Sequence, residues 1–359
     1  MLKHLFPPLA ATGRLRRAPT RIVVVIAGPN PSFAYYLSPR LAQARVPVEV
    51  NDVGAAPSPA NARADLTGAF VIFCRYMSSA WMRAIEASSD MLAGVGVFVD
   101  DDIEALAFDP SVPLPYRLRL LRLHLVHRRK LARCCDVLYV ATPVLAARHA
   151  TARPTELPPL AGDDDKSASA TRTDGVHAAF HSTSVHAAEH RWLRPIMQST
   201  LATEPSLSFE VIAGPPLSWR WRGLPRTRVV PPMPWPSYWA ETRAPGVDLL
   251  LSPLLPTRAN AARSWTKRID AMRLGAALLV SDPDVYRPDA EERALGMCVP
   301  PEPAAWERAI RDLARDRERL TRLRDLNAAH VQRASEQFTP LISDAMSPQP
   351  IPAAETIER

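Results

Sequence analysis

The chain has 359 residues, 47% of them apolar, and 44 Lys and Arg against 37 Asp and Glu, a net charge of +7. That length suits two ordinary domains with a sizeable core, and no apolar run approaches the roughly 20 residues of a membrane-spanning helix. The basic balance fits nucleotide phosphates or an anionic membrane surface as partners; no nucleic-acid motif accompanies it, so no nucleic acid is expected.

The opening MLKHLFPPLAATGRLRR puts its arginines after an apolar patch broken by prolines. A secretory signal has the opposite order. Residues 1–20 therefore read as a loose lead, and the protein as cytoplasmic. Ile22 to Ala27 is a continuous apolar run, as in a strand buried on both faces of a parallel sheet. A helix is expected from Tyr35 to Ala44. Further strands are expected at Val46 to Val50, Ala69 to Phe73, Val95 to Val99 and Val137 to Val140. Helices at Ser79 to Ser88 and Tyr116 to Ala132 lie between them. This alternation predicts a doubly wound parallel sheet over residues 21–150. Cys74, Cys134, Cys135 and Cys298 have no metal-site spacing and read as reduced, buried small side chains.

Residues 151–175 are rich in Pro, Ser, Thr, Asp and Gly and read as an interdomain linker. The pattern then restarts over residues 176–338. Strands are expected at Val176 to Phe180, Phe209 to Ala213, Arg228 to Val230, Val247 to Leu251 and Ala276 to Val280. A helix from His186 to Ala202 carries a kink at Pro195. Pro303 to about Gln337 is helical and highly charged. Residues 339–359 read as a loose tail.

Two such sheets face a cleft, and ligands of parallel sheets lie outside the carboxyl ends of the strands. Three segments at such ends can carry chemistry. Asp100-Asp101-Asp102 follows Val95 to Val99, and adjacent carboxylates there need a cationic partner or a raised pKa. Asp101 or Asp102 can serve as general base or hold an acceptor. A metal site and a set of helix-capping aspartates are the competing readings. Next, His181-Ser182-Thr183-Ser184 and His186 follow Val176 to Phe180. Their hydroxyls are candidates for phosphate contact, against a plain helix start with a His186–Glu189 surface pair. Finally, Asn260, Arg263 and Ser264 precede the helix Trp265 to Leu274, with Ser264 as N-cap, Lys267 in the first turn and Gly275 as left-handed C-cap. Free N–H groups, the helix dipole, Arg263 and Lys267 favour a diphosphate there. A solvated Lys267–Asp270 pair is the plainer alternative.

The stretch DLLLSPLLPTRANAARSWTKRIDAMRLGAALLVSDPDVY (248–286) also resembles the C-terminal domain of group-1-like GT-B glycosyltransferases, which use nucleotide sugars. FVDDDI at Phe98 to Ile103 and CDVLYVATPVLAARHA at Cys135 to Ala150 are similar to the N-terminal domain of that class. FHSTSVHAAEHRWLRPI, FEVIAGPP and PPMPWPSYW are similar to the rest of the C-terminal one. The resemblance implies two Rossmann-like α/β domains facing a cleft, with a nucleotide-sugar donor bound to the second. In it, Lys267 matches the basic residue on the donor diphosphate, His186 a frequent loop histidine, and Asp270 the second acid of an E-x7-E motif. The first acid of that motif falls on Ala262, and the 181–184 loop has no glycine.

The function expected is metal-independent transfer of a sugar from a nucleotide-sugar donor to a glycan, lipid-linked or small-molecule acceptor. No resident cofactor is expected. Asp101 and Asp102 are the catalytic candidates; Thr183, Ser184, His186, Asn260, Arg263, Ser264, Lys267 and Asp270 are the donor-binding ones. The resemblance further implies a bacterial protein of cell-surface polysaccharide synthesis. The basic, leucine-rich segment Tyr116 to Arg133 adds peripheral contact with an anionic membrane. The departures at Ala262 and in the 181–184 loop motivate a second reading, a non-catalytic GT-B-fold protein that binds sugars, nucleotides or a partner. A nucleotide-sugar epimerase is a third.

Overall fold

The computed structural model of the protein describes residues 6–162, 165, 175–242, 246–281, 283–343 and 346. Two parallel sheets form its frame. The first contains β1 (Arg21–Ile26), β2 (Val48–Asp52), β3 (Ala69–Cys74), β4 (Gly94–Val99), β5 (Val137–Val140) and β6 (Thr155–Glu156), in the order 2-1-3-4-5-6. The second contains β7 (Val176–Phe180), β8 (Leu207–Ile212), β9 (Thr227–Val230), β10 (Leu249–Ser252) and β11 (Ala277–Val280), in the order 11-10-7-8-9. Every pairing is parallel.

The central strands are buried on both faces. After Arg21 at the start of the first, RIVVVI, AFVIFC and GVGVFV are apolar because helices cover both sides. Gly96 of β4 is there for space. A Cβ at that position would lie 2.9 Å from Phe70 Cζ and 3.3 Å from Tyr139, so the ring layer requires glycine.

Several expected elements move. The strand expected at Val46 to Val50 runs from Val48 to Asp52. The expected helix Tyr116 to Ala132 is three pieces, Leu114–Leu123, Leu125–His127 and Arg128–Cys134. It breaks at His124, whose buried ring turns inward to bond the Arg75 carbonyl at 2.7 Å. The long charged helix is two, Pro303–Arg315 and Arg317–Glu336, with Asp316 capping the second. Pro195 is accommodated inside Ala187–Thr203.

The segments expected to be loose are packed where they are described. In the lead, Leu9 and Leu15 are buried and Arg16 pairs with Asp136 at 2.9 Å. The expected linker supplies β6, then Leu157 and Leu160 to the core. It also supplies Asp165, which makes a buried pair with Arg273 at 3.0 Å. Beyond Glu336 the chain returns to the first half, where Tyr139 bonds the Leu341 carbonyl and Leu15 N–H donates to Met346 O at 2.9 Å. Hydrophobic burial of a few leucines outweighs the Pro and polar composition that suggested looseness. Residues 1–5, 163–164, 166–174, 243–245, 344–345, 347–359 and Asp282 lie outside the described residues. Among the described residues no helix is long and apolar enough to cross a membrane.

The second half is tied to its C-terminal helix by Arg268. Its guanidinium makes a two-pronged pair with Glu292 at 2.7 and 2.9 Å and also donates to Asn327 Oδ1 at 3.1 Å, all fully buried. Breaking such a pair on one side leaves an uncompensated buried carboxylate. Arg268→Ala is expected to cost about 3–5 kcal/mol of unfolding free energy, read by urea denaturation. A loss below about 1 kcal/mol would show that Glu292 is relieved by water or protonation.

Candidate active site where the strand ends meet

The strand order reverses between β1 and β3 in the first sheet and between β7 and β10 in the second. Crevices for ligands open at such points. In this molecule the two crevices face each other, and charged side chains fill the space between.

From the first sheet come Arg75, Asp100, Asp101 and Asp102. Arg75 directly follows β3 in a left-handed conformation, φ 71°, which turns its side chain onto the end of β4. Its guanidinium lies 3.2 Å from Asp100 Oδ1 and 2.7 Å from Asp101 Oδ2, and donates to the Tyr116 hydroxyl at 2.7 Å. Ser32 donates to Asp100 Oδ2 at 2.5 Å. Asp102 does what the capping reading required. It accepts from Ala105 N at 2.9 Å and starts the helix Ile103–Phe108, while Arg148 and Arg258 hold its other oxygen at 2.5 and 2.8 Å.

From the second sheet come His186, Glu189, Asn260, Arg263, Ser264, Lys267 and Asp270. Arg263 reaches across to Asp101 Oδ1 at 3.3 Å. Glu189 is buried rather than on the surface, 3.6 Å from His186 Nδ1 and bonded by Asn260 Nδ2 at 2.7 Å. Lys267 pairs with Asp270 at 2.7 Å, and Asp270 is buried, so this is not a solvated pair. Ser264 is not the N-cap. The helix begins at Thr266 after Trp265, and the Ser264 hydroxyl bonds Tyr36 of the first half instead. Tyr35 similarly donates to Asp270. Gly275, φ 66°, closes the helix in the left-handed form its position implied.

Thr183 and Ser184 stand exposed. The loop that carries them is held by His181 on Glu210 at 2.9 Å and by Ser182 on His190 at 3.0 Å. The other predicted residues are brought together. Asp100, singled out in sequence with its two neighbours, joins the cluster, and Tyr35, Tyr36, Arg75, Glu189, Arg148 and Arg258 complete it without having been predicted for it. A signal existed for Arg75, since it immediately follows a buried strand. None existed for the tyrosines, which sit on an irregular helical turn, Phe33–Leu37.

Burial and charge separate the three aspartates. Burial pushes the Asp100 carboxyl up despite Arg75. Burial also opposes ionisation of Asp101, but Arg263 and Arg75 outweigh it and hold Asp101 below the usual carboxylate range. Burial and Arg263 push His186 down, so it is neutral at pH 7. Glu189 is pressed up by burial, yet its contacts with His186 and the Asn260 bond hold it at about 2. Asp270 is likewise lowered, Lys267 outweighing burial. Two guanidinium atoms, Arg75 Nε and Arg263 Nε, are buried without a hydrogen-bond partner, and Asp100 Oδ1 meets Arg75 outside hydrogen-bond geometry. Unmet buried donors cost free energy and favour an incoming oxygen ligand.

No protein-family model matches the sequence, and no curated protein does. Solved structures do match in shape. TarM superimposes with a TM-score of 0.54 at 9% identity over 77% of this chain. The S. aureus TarM G117R mutant, in complex with Fondaparinux, alpha-GlcNAc-glycerol and UDP, gives 0.53 at 9% over the same share. The chain has the GT-B fold. It spans about half, 53%, of the length of these TarM chains.

Glu189, Asp101 and Asp270 all have folded pKa values below their unfolded ones. Their contribution is complete above the unfolded range near pH 4–5 and is lost as pH falls through the folded values. The melting temperature should therefore drop steadily from pH 5 towards pH 2. Glu189→Gln should flatten part of that drop; an identical pH profile in the variant would rule out the buried, ionised Glu189.

Proposed function

We propose that the protein is a glycosyltransferase that takes a sugar from a nucleotide-sugar donor and passes it to a glycan, lipid-linked or small-molecule acceptor, with no metal ion. The observation that carries this reading is the cationic set Arg75, Arg263 and Lys267 at the facing strand ends, two of whose members have unmet donors. A diphosphate leaving group develops negative charge as its glycosyl bond breaks, and fixed cations in a dry site stabilise that charge. The GT-B fold supports the reading, as does TarM, whose complex contains UDP and glycans.

Arg263 and Lys267 take the diphosphate, with Asn260 and Ser264 orienting phosphate or ribose; Thr183, Ser184 and His186 approach the donor when the halves separate. Asp101 and Asp102 position the acceptor side of the site. Among the three aspartates, Asp100 is the one suited to receive the acceptor hydroxyl proton, because burial already favours its protonated form. The location proposed is cytoplasmic, in a bacterial pathway of cell-surface polysaccharide. Leu114, Leu118 and Val126 are exposed in the same segment as exposed Arg119 and Arg122, which supports peripheral contact with an anionic membrane.

One observation favours the second reading, a nucleotide- or sugar-binding protein without transferase activity. Tyr36 occupies Ser264 and Tyr35 occupies Asp270, at the corner proposed for the diphosphate. A donor must displace both.

Two measurements test the assignments. Calorimetric affinity for UDP or GDP should fall by about tenfold or more, ~1.4 kcal/mol, in Lys267→Ala; equal affinity would refute the diphosphate site. Incubation with nucleotide sugars and candidate acceptors separates the two readings. Release of nucleoside diphosphate that falls about a hundredfold in Asp100→Asn, with donor affinity kept, supports transfer with Asp100 as base. Binding without any turnover supports the second reading.

A further inference from the structure

A buried parallel sheet ordinarily shows apolar side chains on both faces. One face of the second sheet does not. His177 on β7 meets Ser208 on β8 at 2.9 Å, and His181 just beyond β7 meets Glu210 on β8 at 2.9 Å. Arg228 of the edge strand β9 lies 3.3 Å from the other oxygen of Glu210. The helix Trp235–Glu241 crosses above this face, and between them lies a cavity of about 330 Å³. Arg228 and Glu241 form its exposed rim, on the side of the edge strand. His181 and Tyr238 wall it off from the charged cluster described above, with Tyr238 also in contact with Asp270.

We propose that this cavity binds a neutral, polyhydroxylated ring of monosaccharide size. Volume sets the scale, since about 300 Å³ is the lower end of small-molecule sites and holds one ring rather than a nucleotide. Charge sets the class. Glu210 and Glu241 face the space with a single arginine that is already paired, so an anion meets net repulsion. Hydroxyl groups match a lining that offers a carboxylate acceptor beside imidazole, threonine and phenol groups able to donate or accept. Ile212, Val230 and Leu274 provide an apolar wall for the C–H face of the ring. The proposal stands or falls independently of glycosyl transfer.

The test is ligand-observed saturation-transfer NMR on the full chain with glucose, mannose, galactose and N-acetylglucosamine as probes. At least one should bind in the millimolar range. Glu210→Gln should weaken it by about tenfold or more. Met233→Trp, which fills the cavity from a lining position outside the His181–Glu210–Arg228 chain, should abolish it in a protein of unchanged melting temperature. Lys267→Ala should leave it within about twofold. The proposal is overturned if no monosaccharide binds, if binding survives Met233→Trp, or if it is lost in Lys267→Ala. It is equally overturned if uridine, guanosine or inorganic phosphate, and not the sugars, bind in a Glu210-dependent way. UDP and GDP titrations on the same samples report the diphosphate site separately, so failure of one site is distinguishable from failure of the other.

Discussion

The buried contact of Asp101 with Arg75 on one side and Arg263 on the other is the hinge on which the rest of the molecule turns. It joins the end of β3, the end of β4 and the loop before Thr266 in a single ion network across two sheets. Removing any one of the three leaves a charge in a dry place, which costs several kcal/mol in comparable cases. The left-handed backbone at Arg75 is a local cost of about 1–2 kcal/mol for a side chain with a Cβ. It is tolerated because that conformation places the guanidinium over two aspartates at once.

Charge balance at the interface decides what can enter it. Arg75, Arg148, Arg258, Arg263 and Lys267 face Asp100, Asp101, Asp102, Glu189 and Asp270, so the cations are matched as the halves now sit. A diphosphate cannot simply be added to such a set. It must take Arg263 from Asp101, or Lys267 from Asp270, and the released carboxylate must then find water or a proton. If the donor binds as proposed, separation of the halves would do both, by hydrating the aspartates and leaving the second half's cations for it. On that reading the ionic contacts across the interface compete with the donor, and their strength sets how much binding energy is left for affinity.

The fold was legible because its evidence is periodic and local. Long apolar runs such as IVVVI and AFVIFC admit little besides a doubly buried parallel strand, and the restart at Val176 repeats the pattern. The candidate cluster was legible in part for the same reason: ligands of parallel sheets are expected beyond the strand ends, and Asp100 to Asp102, His186, Asn260, Arg263 and Lys267 lie in the segments that follow them. Two kinds of feature were not. Ser264 looks like an N-cap in sequence, but a tyrosine from 228 positions earlier takes its hydroxyl, a tertiary contact that no local rule anticipates. The linker and tail read as loose from composition, yet Leu157, Leu160 and Leu341 bury themselves, and Asp165 finds Arg273 stacked 3.4 Å over the Trp239 ring. A few well-placed apolar side chains decide such segments, and composition averages them away.

The polar face of the second sheet extends the same argument. Three of its side chains, His181, Glu210 and Arg228, form a chain of partners from the wall beside Asp270 to the outer edge of the sheet. A parallel sheet gains nothing in stability from charge on a covered face, since well-packed apolar residues of similar volume do as well or better. Burial and compensation here are also incomplete, with Arg228 largely in solvent and a cavity left beneath the helix Trp235–Glu241. Packing alone therefore gives no reason for these residue types at these positions, whereas recognition of a small hydroxylated molecule requires just such fixed donors and acceptors. The charged interface and this pocket share one wall, Tyr238, so a ligand on one side meets the same phenol that the other side holds through Asp270.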